Sequence, residues 1–252
     1  MDLTKEKGAF FSGNALKIIA CVSMLIDHIG VIFLPSNVLL RIIGRLAFPI
    51  FSFMIAEGAR YTRSRLRYFC TLFGMTLVML AAYYFYEGRI YASVLGTFSL
   101  SVLIIWVLDA LKREIFRTVR SGARIFISSF VFLLSVALAW FVCRAVHVDY
   151  GFAGVMLPVI TSFFMLPSGA PESARRFDAI PIHVGMCGVG IFLLSGFGTG
   201  INAYGMLALP LLLLYSGKRG RLKMKYFFYI FYPLHLVLLE GISLLLNMLK
   251  QV

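Results

Sequence analysis

The stretch LKIIACVSMLIDHIG, residues 16–30, decides how the chain is read. It is an apolar run with one cation, Lys17, near its start and the adjacent pair Asp27 and His28 deep inside it. In a helix, the eleven-residue step from Lys17 to His28 closes to within roughly 20° of three full turns and advances about 16 Å. The two side chains therefore share one face, the first near a membrane surface and the second near mid-depth. An ionisable residue at such a depth is costly enough to mark a functional site by default.

Composition places that stretch in a membrane protein. The chain has 252 residues, 60% of them hydrophobic and 14% charged, with a mean hydropathy of +0.90. Those values exclude a soluble domain and indicate an all-α polytopic helix bundle. A net charge of +13 raises the question of nucleic acid. The basic residues, however, stand in short clusters between apolar runs, the pattern of a topology signal, so no nucleic-acid partner is expected. Cys21, Cys70, Cys143 and Cys187 are scattered through apolar segments without metal-ligand spacing, so neither a metal site nor a disulfide framework is expected.

About nine spans are expected within a single membrane domain covering residues 1–252. They are Ala15–Leu34, Val38–Gly58, Leu66–Tyr86, Ile90–Leu108, Ile125–Cys143, Tyr150–Leu166, Ile180–Ser195, Ile201–Tyr215 and Tyr226–Met248. Pro35-Ser36-Asn37 makes a tight uncharged turn between the first two. The seventh and eighth are short, glycine-rich and joined by GFGTGIN, residues 196–202. They read either as two thin spans or as one broken hairpin lining a cavity. Met1 to Asn14 carries no cleavable-looking site and reads as a cytoplasmic start.

Charge in alternate connections gives the orientation. Lys5 and Lys7, Arg60 to Arg67, Lys112 to Arg124, Arg175 and Arg176, and Lys218 to Lys225 place eighteen cations on one side. Arg89, Arg144 and Lys250 are on the other. This asymmetry implies a cytoplasmic N-terminus and an odd number of spans. With that orientation, His28, Arg41, Arg45, His235 and Glu240 all fall in the middle or outer half of a core about 30 Å thick.

Each candidate has a structural and a functional reading. Arg41 and Arg45, one turn apart, either neutralise Asp27 across the first hairpin or contact substrate. Asp27 lies about 100° around the helix from His28, so it suits a partner on another helix better than it suits orienting that imidazole. His28 is either an interhelical hydrogen-bonding histidine or a reactive one, and Lys17 on the same face favours the second reading. In KYFFYIFYPLHLVLLEG, residues 225–241, Tyr229, Tyr232 and His235 run deeper than an interfacial aromatic belt requires. Pro233 is expected to break the backbone bond to Tyr229 and kink the span, leaving a free carbonyl that can line a cavity. Lys218, Arg219 and Arg221 serve as a topology determinant, and they also suit a polyphosphate approaching from the cytoplasm.

Four blocks resemble the TraX family, membrane proteins associated with N-terminal acetylation of F-type conjugative pilin. They are residues 16–30 with IGRLAFPIFSFMIAEGARYTRS at 43–64, VDYGFAGV at 148–155, LPLLLLYSGKRG at 209–220, and KYFFYIFYPLHLVLL at 225–239. That family is similar in turn to the broad superfamily of transmembrane acyltransferases, whose signature is an Arg, ten residues, then a His in the first span. Lys17 and His28 have that separation, with a point charge replacing the bidentate arginine fork.

The resemblance implies a bacterial inner-membrane acetyltransferase. Acetyl-CoA would enter from the cytoplasm, with Lys17, Lys218, Arg219 and Arg221 on its phosphates. His28 would act as general base or transient acyl carrier. His235, Tyr232 or Arg45 would stabilise the oxyanion or hold an acceptor amine or hydroxyl on a pilin, a peptide or a glycan. Two other classes fit intramembrane charge: a proton-coupled transporter or exporter, and a non-catalytic assembly subunit that tolerates loss of His28.

Overall fold

The computed structural model describes residues 10–221 and 224–249, apart from the side chains of Glu87, Lys225 and Tyr226. Lys5, Lys7, Lys223 and Lys250, which enter the charge asymmetry, lie outside the described residues. The fold is an all-α membrane helix bundle. Among the described residues six helices are long and apolar enough to cross a membrane: Gly13–Phe33, Val38–Tyr61, Arg65–Tyr86, Val94–Ile115, Gly122–Ala145 and Phe227–Leu249.

Three of the nine expected spans are shorter apolar helices. Tyr150–Leu166 becomes the 11-residue helix Gly151–Thr161, and Ile180–Ser195 a 15-residue helix ending at Leu194. Ile201–Tyr215 becomes a 3₁₀ segment, Ile201–Ala208, followed by one short α-turn, α10 (Leu209–Leu213). At 1.5 Å per residue, 11 and 15 residues reach only about 16 and 22 Å, less than a hydrocarbon core. Hydropathy along the chain does not register where such a helix stops.

The chain divides into two compact units, residues 1–51 with 195–252, and residues 52–194. In the first, α1 (Gly13–Phe33) packs on α2 (Val38–Gly44) and on the C-terminal helix. The Ser12 hydroxyl caps α1 by accepting from the Ala15 amide. The next free amides, Gly13 and Asn14, donate to the carbonyls of Lys218 and Arg219 at 2.8 and 3.0 Å. A helix start leaves four such donors unpaired, so the 214–220 segment completes the entry of α1. A parallel bridge between Phe11 and Tyr215 reinforces the join.

The helical stretch 38–61 is interrupted between α2 and α3 (Ala47–Tyr61). Gly44 closes α2, and a Cβ placed there would run into the Asp27 carboxylate. Only glycine lets α2 approach α1 that closely.

The second unit is built on α4 (Arg65–Glu87), α5 (Val94–Ile115), α6 (Gly122–Ala145), α7 (Gly151–Thr161), the single turn α8 (Glu172–Arg175) and α9 (Ile180–Leu194). α5 lies at its centre, packing on α4, α6 and α7, while α7 and α9 pair closely. At Gly190 a Cβ would stand 3.3 Å from the Leu157 Cα, so that pair also depends on a missing side chain.

Hydroxyls on α5 are absorbed by carbonyls. The Ser101 hydroxyl shares its one proton between the Thr97 and Val155 carbonyls at 2.9 and 2.8 Å, and the Thr97 hydroxyl donates to the Asp149 carbonyl at 2.6 Å. Two-residue strands β1 (Tyr91–Ala92) and β2 (His147–Val148) pair in parallel at the helix ends. α6 leaves Phe126, Leu133 and Phe141 more than 60% exposed, the surface of a helix that faces lipid.

Candidate intramembrane site

The centre of the first unit is a pair of imidazoles on two helices. His28 projects from α1, and His235 from the last helix, α11 (Lys225–Leu249). Their ring centroids are 4.9 Å apart at 73°, with His235 Nε2 3.4 Å from His28 Nδ1. Each Nδ1 also lies 2.8 Å from a carbonyl one turn back, Met24 for His28 and Phe231 for His235.

Those two carbonyls decide the tautomers. A carbonyl oxygen only accepts, so each Nδ1 carries the proton and each neutral ring keeps its lone pair on Nε2. The His235 lone pair faces the shared His28 Nδ1–H. The His28 lone pair on Nε2 has no protein partner among the described residues. His235 is 3% exposed and further held by the Phe231 ring, stacked at 5.0 Å and 9°, and by the buried Tyr232 ring at 5.9 Å. His28 is half-buried. One ring is therefore fixed, and it orients the other.

One residue earlier on α1, Asp27 turns away toward α2. Its two oxygens take Arg41 Nη1 at 3.0 Å and Arg45 Nη2 at 2.6 Å. Arg45, 9% exposed, also donates to the Asn202 side chain at 3.2 Å. Two guanidiniums on one carboxylate leave a net positive charge, which the Asn202 carbonyl oxygen partly offsets. Breaking such a buried pair from one side is strongly destabilising.

A basic rim is assembled from both segments of the unit. The Lys17 ammonium stands 5.5 Å from the Phe228 ring centroid on α11, a cation–π distance. Lys218 and Arg219, whose carbonyls complete the start of α1, are exposed, as is Arg221. Arg219 lies close enough to Lys17 for the two cations to interact. About 16 Å of α1 separates this rim from the imidazole pair. Among the described residues no group of three or more His, Cys, Asp and Glu side chains could hold a metal ion.

Helices bearing paired histidines and a paired aspartate within apolar stretches define a multi-pass membrane protein with a polar centre inside its bundle. The chain belongs to the TraX family, whose model, described as TraX protein, matches residues 12–243. It is 27% identical over 247 residues to a probable fimbrial assembly protein FimC, serogroup H1, of Dichelobacter nodosus, covering 94% of this chain and 98% of that one. It is also 48% identical over 40 residues to the uncharacterized protein RP591 of Rickettsia prowazekii (strain Madrid E), 16% of each chain. No solved structure matches.

Of the residues singled out from sequence, the structure brings His28 to His235, Tyr232 to His235, and Asp27 to Arg41 and Arg45. Lys218 and Arg219 come to the start of α1. Glu240 is exposed, five residues and thus about 140° around α11 from His235. Pro233 lies within a continuous α11, and the carbonyl that His235 reaches is Phe231's.

Asn202 was not legible in the sequence, being one polar residue in a glycine-rich connection. A second polar centre went unread in residues 52–194. There Arg60 donates to both oxygens of Asp178 at 2.7 and 2.6 Å, and His183 Nε2 lies 3.1 Å from the same carboxylate. Burial raises the Asp178 pKa, but the hydrogen bonds from His183 and Arg60 outweigh it and hold the carboxyl below its ordinary value. A histidine in the apolar stretch IPIHVGM, residues 180–186, was the available signal.

Proposed function

We propose that this TraX-family protein is a membrane-embedded acetyltransferase. It takes an acetyl group from acetyl-CoA at the cytoplasmic face and passes it to an amine or hydroxyl on the other side of the bacterial inner membrane. The acceptor class we favour is a pilin or fimbrial subunit N-terminus. The relative named as a probable fimbrial assembly protein, aligned along nearly its whole length, supports that class.

One observation carries the chemistry: the His28 lone pair on Nε2, set by the two carbonyls and the second imidazole behind it. Phosphates are held at Lys17, Lys218, Arg219 and Arg221, and the pantetheine arm extends along α1 toward His28. His28 Nε2 removes the proton from the acceptor as its nitrogen or oxygen attacks the thioester carbonyl. The C–S bond breaks, and the imidazolium returns the proton to the departing CoA thiolate. Meanwhile the Met24 carbonyl and the His235 lone pair both face the charged His28 Nδ1–H and stabilise it. With its Nε2 turned to His28 and its Nδ1 to Phe231, His235 acts as a positioning residue; oxyanion stabilisation falls to other groups.

The test is transfer of label from radiolabelled acetyl-CoA in nanodiscs to an acceptor peptide bearing a free N-terminus. Wild type is compared with His28→Ala, His235→Ala and Lys17→Ala, without an imposed proton gradient. Transfer unchanged in His28→Ala would overturn the proposal. Activity seen only as gradient-driven flux would favour the transporter class instead.

A further inference from the structure

The basic end of the second unit carries a cavity that the acetyl-transfer chemistry does not use. Arg60 to Asp178, Arg65 to Asp109, and Lys112 to the Ser162 and Met165 carbonyls tie together the ends of α3, α4, α5 and α7 and the loop leading into α9. Beside these ties lies a cavity of about 240 Å³, lined by Leu108, Leu111, Lys112, Phe116, Phe164 and Phe177 among others. Phe163 and Phe177 remain 50% and 41% exposed at it.

Its size and lining narrow the occupant. The volume falls below the ~300–1,000 Å³ of pockets that enclose a drug-sized ligand, so it receives part of a larger molecule. Apart from Lys112, the lining offers nothing to hydrogen-bond the edge of a nucleobase, which favours an acyl chain. The bilayer supplies acyl chains to every apolar groove. Charge is what distinguishes this one.

The Arg176 guanidinium lies 4.8 Å from the centroid of the Phe177 ring, which itself lines the cavity. Among the described residues it has no carboxylate or carbonyl partner. Its neighbours are committed: Arg175 to the Ala170 and Ser168 carbonyls, Arg113 to Asp109, and Arg117 to Glu114. Lys112 uses two of its three N–H groups on Ser162 and Met165.

We infer that this cavity is a site for an anionic phospholipid, its acyl chain between α5 and the 162–177 segment and its phosphate on Arg176 at the rim. Basic pockets on the cytoplasmic side of helix bundles take such headgroups, with each cation near the surface worth about a five-fold gain in binding.

The test counts lipids bound to the purified full chain in detergent by native mass spectrometry, titrating phosphatidylglycerol or phosphatidylethanolamine of identical chains. Phosphatidylglycerol should bind at least about five-fold more tightly. Arg176→Gln should remove about that factor, Arg176→Lys should retain it, and Ala174→Trp, which fills the cavity, should weaken both lipids. Arg124→Gln, exposed on the same basic side but away from the cavity, should change binding less than about two-fold. Equal binding of the two lipids, indifference to Arg176→Gln, or an equal loss in Arg124→Gln would overturn the site and leave only diffuse attraction to a basic surface.

Discussion

The two compact units handle buried polarity in opposite ways. Residues 1–51 with 195–252 carry Asp27, His28 and His235 well inside long apolar helices. In residues 52–194 the interior hydroxyls of Thr76, Ser99 and Ser101 turn back onto carbonyls, while those of Ser52 and Ser93 are buried without a partner among the described residues. The second unit gathers its ion pairs at helix ends and loops, where Arg60 meets Asp178 and Arg65 meets Asp109. Both units contain a buried histidine beside other polar groups. In one, the buried imidazole of His235 stands behind a half-buried one whose Nε2 has no protein partner among the described residues. In the other, a carboxylate held by a guanidinium stands 3.1 Å from the ring, and Nδ1 is buried without a hydrogen-bond partner among the described residues.

The sharpest way to break this contrast is to remove one histidine from each unit. His28→Ala should lower acetyl transfer by about 10²–10⁴-fold, the range for loss of a general base, with little change in thermal unfolding. His183→Ala should lower the unfolding temperature and leave transfer near wild type. Reversal of the two outcomes would move the reactive centre to the second unit.

The ion pair beneath His28 gives the next largest effect. Asp27→Ala leaves Arg41 and Arg45 facing each other without a counter-charge and should cost about 3–5 kcal/mol of stability, read by chemical or thermal unfolding in detergent. A near-neutral result would mean that the arginines serve a ligand more than the hairpin. Gly44→Ala drives a methyl group against the Asp27 carboxylate and should cost about 1–3 kcal/mol. Wild-type stability in that variant would contradict the close approach of α1 and α2.

Acid should act on the second unit's loop. The folded pKa of Asp178 is depressed, so its contribution to stability is fully present above the ordinary carboxylate value and is lost as pH falls through the depressed one. Asp178→Asn should be less stable than wild type near neutrality, and the gap should narrow as pH drops below about 4. A gap that holds constant across that range would dismiss the linkage.

The smallest change concerns the entrance. Lys17→Arg restores a fork for phosphate and should tighten CoA binding by about ten-fold, the low end for one further charge-assisted hydrogen bond. Weaker binding would show that the ammonium over Phe228 is required as it stands.

Membrane class, most of the helices and which ionisable residues fall within apolar helices were determined by the sequence alone. Apolar runs of crossing length leave no other solution for backbone polar groups in lipid. The Lys17 to His28 spacing was equally legible, because helical periodicity ties residue number to face and depth. Only the tertiary structure decided that His235 stands behind His28, that Asn202 reaches Arg45, and that Asp178 joins Arg60 to His183. Each of these joins residues more than 100 positions apart or draws on a loop with no periodicity. Nor did hydropathy reveal that the run at 150–166 stops short of a full crossing, although the seventh and eighth runs already read as short. It measures preference for an environment, whereas helix length depends on where the backbone finds its last hydrogen-bond partner.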